Sequence, residues 1–352
     1  MITNKLKTLV IISPGFPENE ADSTCIPPQQ IFVKALKEAN PALNIIVLTY
    51  QYPFYSGEYQ WHGIRVISFG HAKQSRWVNL FTGPRVWAAL SKINKDYQII
   101  GLLSFWFGKC SYVAHLFAKK HFLKHYSWIL GQDAKAGNKY FNKIKPSGES
   151  LIALSDFIVA EFHKNYGVRP QHIIPVGIDT ALFGTAPRQR NIDILGAGNL
   201  IPLKQYHVFL EVVSLLKETI PGIQAVICGD GPEMKRLQER VRDLALENNV
   251  ILKGRMTHSE VLSLMQQSKT FLHSSNYEGF GAVCLEALYA GAQVVSFVRP
   301  MKAEIKNWHI ATDTADMLLK LMEILSGPAG SDQPVLPYTI QANVRKMMQL
   351  LE

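Results

Sequence analysis

The sequence of 352 residues lacks the features that mark several common protein classes. Its four cysteines, Cys25, Cys110, Cys228 and Cys284, lie far apart, and none belongs to a C-x-x-C pair. This spacing favours neither a zinc cluster nor a disulfide framework, and it predicts a reducing compartment. No apolar run reaches the roughly 18 residues that suggest a membrane span, and the first residues lack the pattern of a signal peptide. We therefore expect a cytoplasmic protein, with peripheral contact at the cytosolic face of a membrane as an alternative.

Charged residues are scarce as well, at 18% of the chain against 47% hydrophobic residues, a composition typical of a globular protein. The charge is unevenly distributed. Residues 1–150 contain 18 Lys and Arg against 8 Asp and Glu, whereas the rest of the chain contains 19 against 20. A basic half indicates an anionic partner, such as an acidic membrane surface or a phosphorylated substrate, although plain solubility also accounts for it. Nucleic acid is not expected as a partner because no nucleic-acid-binding motif accompanies the charge.

Strand and helix patterns alternate along the whole chain, in two successive series. A chain of this length is too long for one ordinary core, and alternation of this kind predicts parallel sheets covered by helices on both faces. The periodicity is interrupted at Thr180–Asn191, which we interpret as a hinge, and at Gly327–Pro337, which has the composition of a linker. The sequence therefore predicts two α/β domains, over residues 1–183 and 184–335. A last amphipathic helix, within residues 336–352, is expected to pack on the N-terminal domain.

The most informative stretch is Leu272–Gly291, in which small polar residues and glycines follow a predicted strand and precede a predicted helix. Unpaired N–H groups and the positive end of the dipole make such a helix start an anion site, and Gly279 and Gly281 permit close approach. Glu278 precedes this helix, and Glu286 lies about one and a half turns into it. Two carboxylates would repel a phosphate but would accept hydrogen bonds from the hydroxyls of a sugar and a ribose. Two solvated glutamates without a ligand are the alternative at this spacing.

This stretch resembles the Glu-x7-Glu motif of the family 4 glycosyltransferases, which have the GT-B fold. Three more segments are similar to motifs of that family in the same order: the end of the first domain (Ile152–Phe183), the diphosphate loop (Gly196–Lys204) and a glycine-rich turn (Ile227–Pro232). The resemblance covers about residues 155–298 firmly and the first 150 weakly. It implies an α/β fold of two Rossmann-like domains that face each other across a cleft. It also implies retaining, metal-independent transfer of a sugar from a nucleoside-diphosphate sugar, with UDP or GDP, to a glycan or lipid-linked acceptor.

The resemblance assigns roles to individual residues. Glu286 would bind the ribose hydroxyls, and Glu278 would bind hydroxyls of the donor sugar. Lys204 would pair with the diphosphate, and a fixed cation there stabilises leaving-group charge more strongly in the transition state than in the ground state. The other donor-binding positions that it implies are Gly279, Phe280, Gly281, Ala282, Val283, Gly198, Asn199, Gly229, Arg255, Met256 and Gly15.

The chain departs from the family pattern at several positions. Gly198-Asn199 stands where the family usually has Gly-Arg, so one expected cation is missing unless Arg255 replaces it. The run from Leu130 to Asp133 stands where many members have His-Gly-x-Asp, and it lacks the histidine. Asp133 then remains as the third candidate catalytic residue, facing the acceptor together with Lys135. These departures affect the expected acceptor chemistry more than the expected binding of the donor.

Other functions are less well supported by the sequence. Gly196–Ile201 begins like the dinucleotide-binding motif of a dehydrogenase but lacks its third glycine and its ribose-binding acid. A GT-B epimerase of nucleotide-sugars and a non-catalytic nucleotide-sugar-binding protein remain as alternatives. No Asp-x-Asp at a strand end and no His/Cys cluster predicts a metal site. The aromatic and basic run Arg76–Trp87 could lie on a membrane, but Thr82-Gly83-Pro84 predicts a break in any helix there and favours core packing.

Overall fold

The structure, a computed structural model, describes residues 5–70, 76–184, 189–327 and 333–352, without the side chains of residues 76–81. The chain divides into two compact units, one up to Gly177 together with Tyr338–Glu352, and the other Ile178–Pro337. The predicted boundaries at residues 183 and 335 are therefore displaced by a few positions. Parts of the predicted hinge and of the predicted linker, residues 185–188 and 328–332, lie outside the described residues. Among the described helices, none is long and apolar enough to cross a membrane.

The first unit is built on one parallel sheet with an antiparallel strand at its edge. Its strands are β1 (Lys7–Gly15), β2 (Asn44–Tyr52), β3 (Ser56–Trp61), β4 (Ile64–Phe69), β5 (Gln98–Phe105), β6 (His125–Ile129), β7 (Leu151–Ala153) and β8 (His172–Ile173). They lie in the order β3-β4-β2-β1-β5-β6-β7-β8, and β3 runs antiparallel to β4. The helices of its continuous part are α1 (Pro27–Ala39), α2 (Arg76–Asp96), α3 (Lys109–His121), α4 (Phe141–Ile144) and α5 (Asp156–Tyr166).

Sequence and structure agree on most of these elements, and the reasons are local. The central strand β1 buries Leu9–Ile12 without interruption, as expected for a parallel strand with helices on both faces. Helix α5 begins at Ser155, whose hydroxyl accepts a hydrogen bond from the Ile158 N–H at 3.2 Å, and ends at Gly167 in the left-handed conformation. Strand β3 was missed because its polar sequence, Ser56 to Trp61, is largely exposed and lacks an apolar run.

The expected break at Thr82-Gly83-Pro84 is wrong. Helix α2 runs through Pro84, and its buried Val86, Leu90 and Ile93 pack against the sheet. A proline within a helix removes one hydrogen bond, and burial of this apolar face offsets that loss. The proposed contact of this run with a membrane depends on the side chains of residues 76–81, which lie outside the described part.

The second unit has a wholly parallel sheet. Its strands are β9 (Ile192–Ala197), β10 (Ala225–Cys228), β11 (Val250–Gly254), β12 (Ser268–His273), β13 (Gln293–Ser296) and β14 (Trp308–Ile310). Its helices are α6 (Tyr206–Thr219), α7 (Met234–Asp243), α8 (His258–Gln266), α9 (Ala282–Tyr289) and α10 (Thr314–Ser326). The strand order, β11-β10-β9-β12-β13-β14, is the doubly wound order of a Rossmann fold. The predicted class, α/β with two Rossmann-like sheets, is confirmed.

The C-terminal helix α11 (Ile340–Leu351) belongs to the first unit and packs against α1. Its apolar stripe of Ile340, Val344, Met347 and Leu351 is buried there. A buried polar contact adds specificity, because the side-chain amide of Asn343 donates a hydrogen bond to the Pro175 carbonyl at 2.7 Å. The last helix therefore completes the core of the unit in which the chain begins.

Candidate functional site

Most of the predicted donor residues lie at one place, the carboxyl edge of the second sheet. Strand β9 lies at the centre, with β10 on one side and β12 on the other, so the chain winds in opposite directions from this point. Open α/β sheets bind ligands in the crevice that such a reversal creates beyond the strand ends. The loop from β9 to α6 carries Lys204, and the loop from β12 to α9 carries Glu278. These two loops form the candidate site.

Two glycine-containing loops are held together by their backbones. The Gly198 N–H donates to the Cys228 carbonyl at 3.0 Å, and the Leu200 N–H donates to the Asp230 carbonyl at 3.0 Å. Gly229 has φ 144°, and a Cβ at that position would overlap the carbonyl oxygen of Gly198. Glycine is therefore required at residue 229 by the packing of the loop after β9 on the turn after β10.

We expect Gly229→Ala to lower the free energy of unfolding by at least about 2 kcal/mol, because it adds a steric overlap to an unfavourable backbone conformation. The measurement is urea unfolding of the full chain. Gly222→Ala is the matched control, since a Cβ at residue 222 meets no atom within 4 Å. Equal stability of the two variants would contradict the packing argument.

Lys204, Glu278 and His273 form a connected polar cluster at the end of β12. The Lys204 ammonium lies 2.5 Å from Oε2 of Glu278, and the His273 Nε2 lies 3.2 Å from the same oxygen. The side chains of Lys204 and Glu278 are 19% and 23% exposed, and that of His273 is 5% exposed. The Ser274 hydroxyl donates to the Lys204 carbonyl at 2.8 Å and ties the two loops together. The structure thus brings the two predicted catalytic residues of the second unit into direct contact.

The electrostatics of the cluster keep Glu278 ionised. Burial alone would raise the pKa of Glu278, but the hydrogen bond with His273 and the charge of Lys204 outweigh it and lower the pKa to about 2. Burial is also the main reason that the pKa of His273 is lowered. His273 is therefore neutral near pH 7 and donates its Nε2–H to the carboxylate.

Because the pKa of Glu278 is about 2 in the folded chain against an ordinary 4.5, this group favours folding when it is ionised. Its contribution is fully present above about pH 4.5 and is lost as the pH falls towards about 2. We expect Glu278→Gln to flatten the dependence of the unfolding free energy on pH in that window. Urea unfolding at a series of pH values measures it, with the exposed Glu239→Gln as control. Parallel curves for Glu278→Gln and the wild type would refute the assignment.

Glu286 has a partner that the sequence analysis did not anticipate. Its Oε1 lies 2.8 Å from Nε2 of His258, and its side chain is 13% exposed. The hydrogen bond to Glu286 raises the pKa of His258 against the opposing effect of burial. His258 opens helix α8, which begins with a capping box between Thr257 and Glu260. The cap thus fixes the position of the imidazole that orients Glu286.

The start of helix α9 has the geometry that the sequence predicts for a ligand-binding loop. Gly281 is its N-cap residue with φ 86°, and a Cβ there would come within 3.3 Å of the Cys284 Sγ. Phe280 is 2% exposed and packs edge-on against Trp308 at 6.1 Å between ring centroids, which anchors the loop. Just past the end of the helix, Gly291 has φ 85°, the left-handed conformation in which helices commonly terminate. The roles of residues 279–283 in donor binding stay predictions.

Asp133 lies buried among backbone N–H groups of the first unit, and its proposed role towards an acceptor stays a prediction. Its carboxylate accepts hydrogen bonds from the N–H groups of Phe107 at 2.7 Å, Leu130 at 3.1 Å and Gly131 at 2.8 Å. Burial, against these hydrogen bonds, raises its pKa. The carboxylate thus joins the loop after β5 to the loop after β6.

The remaining predicted positions are dispersed. Asn199 is exposed in the loop after β9, and Met256 lies beside Arg255 after β11. The Arg255 side chain is 86% exposed, and its guanidinium lies 3.8 Å from Asp230. Gly15 ends β1 in the first unit. The proposal that Arg255 replaces the missing cation of the diphosphate loop therefore rests on a side chain that is largely exposed and lies near Asp230.

Sequence reasoning missed both histidines of the site. His273 is the last residue of β12 and His258 is the first of α8, so both follow directly from the strand and helix boundaries that the sequence predicts. Polar residues at the carboxyl ends of parallel strands are the available signal. Within the described residues, no three His, Cys, Asp or Glu side chains come together as metal ligands do.

Comparison with known proteins agrees with this geometry. Residues 179–323 match a family model described as glycosyl transferases group 1. That match covers the whole of the candidate site. The chain is 29% identical over 103 residues to the 2-deoxystreptamine N-acetyl-D-glucosaminyltransferase of Niallia circulans, covering 29% of this chain and 26% of that protein. It is 27% identical over 178 residues to the glycogen synthase of Mycobacterium tuberculosis, covering 49% and 43%.

The chain spans less than half the length of these curated relatives. A solved structure matches nearly the whole chain. The HepE protein of Anabaena, in complex with UDP and glucose, aligns with a TM-score of 0.69 over 98% of this chain and 99% of its own, at 16% identity. At this identity the likeness establishes the fold, and the chain has the GT-B fold. Together, the matches support a glycosyltransferase.

Proposed function

We propose that this chain is a retaining glycosyltransferase of family 4, which transfers a hexosyl group from a nucleoside-diphosphate sugar to a glycan or lipid-linked acceptor without a metal ion. The observation that carries the proposal is the contact of Lys204 with Glu278 at the reversal point of the second sheet. A cation and an ionised carboxylate, side by side at this edge, suit the two parts of a sugar diphosphate: the cation suits the diphosphate, and the carboxylate suits the sugar hydroxyls. The match of residues 179–323 to group 1 glycosyltransferases supports it.

Lys204 is suited to stabilise the leaving diphosphate. An ammonium group has three N–H donors, so the contact with Glu278 leaves two for a phosphate. Charge accumulates on the diphosphate as the bond to the sugar breaks, and a fixed cation lowers the energy of that state. The start of α9 adds backbone N–H groups and the positive end of a helix dipole. This arrangement supports metal-independent chemistry.

The two glutamates would bind different hydroxyls of the donor. Glu278 is ionised well below neutral pH and therefore accepts hydrogen bonds from the sugar beside the reacting carbon. Glu286, held by His258, would accept bonds from the ribose. We predict that the loop after β11 selects between UDP and GDP, because the base would meet the backbone near Arg255 and Met256.

The proposal is tested by incubating the full chain with UDP-, GDP- and ADP-sugars and a panel of glycan and lipid-linked acceptors. We expect release of nucleoside diphosphate with one donor, and a product whose anomeric configuration, read by NMR, equals that of the donor. Inversion would refute the retaining mechanism. Binding of nucleotide-sugar without release in any mixture would favour a non-catalytic binder, and conversion of the donor without an acceptor would favour an epimerase.

A further inference from the structure

A cavity of the first unit lies at the carboxyl ends of β1, β2 and β5. It has a volume of about 290 Å³, and its lining includes Pro14, Tyr50, Trp106 and Lys109. Strand β1 lies between β2 and β5, so the strand order of this sheet reverses here, as it does between β9 and β12 in the second unit. The volume is near the lower limit of small-molecule sites, about 300 Å³, and suits one chemical group or a small sugar.

Tyr50 belongs to this lining, and its hydroxyl is unsatisfied. The residue is 2% exposed, and its hydroxyl has no hydrogen-bond partner among the described residues. Burial raises the pKa of Tyr50, so the hydroxyl keeps its proton and can donate. A buried donor without an acceptor is unfavourable and uncommon in folded proteins. A ligand oxygen in the cavity would satisfy it.

Lys109 supplies a cation over the ring of Tyr50. Its ammonium lies 5.2 Å from the centre of the Tyr50 ring, and in the described part of the chain no carboxylate pairs with it. Burial is the main reason that the pKa of Lys109 is lowered; Cys110 opposes the shift and the charge of Lys139 adds to it. No acidic residue lines the cavity within the described residues. Among the described residues, Lys109 is the one charged residue of the lining, and the cavity lies in the half of the chain that is basic overall.

The backbone around the cavity adds to this preference for negative charge. Helix α3 starts here, and its N-cap residue, Gly108, has no side chain to accept hydrogen bonds from the first turn. The positive end of the helix dipole therefore meets the cavity. Trp106, in the lining, has φ 62°, a left-handed conformation that a large side chain adopts only at some energetic cost. Such strain is concentrated at functional sites.

From these observations we infer that the cavity binds the negatively charged group, a phosphate ester or a carboxylate, of an anionic sugar acceptor. Lys109 Nζ and the Tyr50 hydroxyl would donate to its oxygens, together with the first N–H groups of α3. The inference rests on the proposed function, because it makes this cavity the acceptor site of the transfer. It narrows the acceptor from glycans in general to those that carry an anionic group near the reacting hydroxyl.

The test is binding of small sugars to the full chain without nucleotide, measured by isothermal titration at fixed ionic strength. Glucose 6-phosphate and glucuronate represent the two sources of charge, and glucose is the neutral comparison. We expect Lys109→Ala to weaken binding of the preferred anionic sugar by about 10- to 100-fold, as for loss of a charged hydrogen bond. Tyr50→Phe should weaken it by about fivefold without lowering stability, since the hydroxyl has no partner within the described parts of the chain.

Two controls separate this inference from its alternatives. Lys119→Ala removes the same charge from an exposed position of the same helix and should leave binding unchanged. Glu286→Ala, in the second unit, should also leave it unchanged. Loss of binding with Glu286→Ala would place the anion at the donor site and overturn the inference, as would equal binding of glucose or an unaltered affinity of Lys109→Ala. If nucleotide-sugars fail to bind while these results hold, the proposed function fails and the anion site stands.

Discussion

Replacement of Lys204 with methionine is expected to reduce the turnover of the donor by about 10²- to 10³-fold, the usual cost of losing one fixed group that stabilises developing charge. The ammonium is held 2.5 Å from Glu278, and the methionine chain preserves most of its apolar contacts. Without the cation, the negative charge on the leaving diphosphate is neutralised only by the backbone at α9. Slow hydrolysis of the nucleotide-sugar by water, followed as release of nucleoside diphosphate, provides an assay that requires no acceptor.

The affinity for the donor should change less than the rate, because the cation matters most when the bond breaks. Lys235→Met, at an exposed position of helix α7, removes the same charge from the same unit and should have the wild-type rate. Thermal unfolding of both variants shows whether the fold is retained. A Lys204→Met variant that turns over its donor at the wild-type rate, or one whose loss appears wholly in donor affinity, would contradict the role given to Lys204.

The second large effect is expected at Glu286, where alanine should weaken nucleotide binding by about 100-fold, as for two hydrogen bonds to a charged acceptor. The side chain is 13% exposed and is oriented by His258 at 2.8 Å. Glutamine at this position keeps an acceptor but loses the charge, so Glu286→Gln should bind about tenfold more weakly than the wild type. Titration with UDP and GDP, by calorimetry, measures both variants.

Glu239→Ala is the matched control for Glu286→Ala, since Glu239 is exposed on helix α7 of the same unit. Removal of Glu286 also removes the hydrogen bond that raises the pKa of His258, and NMR titration of the imidazole should show that pKa falling. This shift confirms that the variant is folded and altered at the intended place. Unchanged nucleotide affinity in a variant that shows the shift would exclude Glu286 as the ribose-binding group.

The second unit was predicted closely because its signals are local. The helix start at Gly281, the left-handed Gly291 and the loop glycines before α6 each determine a backbone conformation within a few residues. The resemblance assigned Lys204 and Glu278 to one donor site, and the structure adds that the two side chains contact each other at 2.5 Å. The contact of His258 with Glu286 was not expected, because the two residues are 28 positions apart in the chain. His273 lies five residues before Glu278, within reach of local sequence reasoning.

The first unit was predicted less well, for physical reasons that its residues show. Strand β3 is polar and exposed at the sheet edge, so it carries no apolar pattern. Helix α2 continues through Pro84 because tertiary packing of its apolar face overrides a local helix-breaking signal. Asp133 was chosen for its place in a motif, but its carboxylate binds backbone groups from two loops. The position of Asp133 in the motif indicated its residue type but not the groups that surround its side chain in the fold.

The return of α11 to the first unit affects the order in which the two units can fold during synthesis. Residues 178–337 form an unbroken unit inserted into the other, whose core stays incomplete until the final dozen residues are present. During synthesis the second unit therefore has all its residues before the first has its own. A ribosome that stops at residue 337 would release an intact second unit attached to a first unit whose α1 face is open to water, and such a product is prone to aggregation and proteolysis.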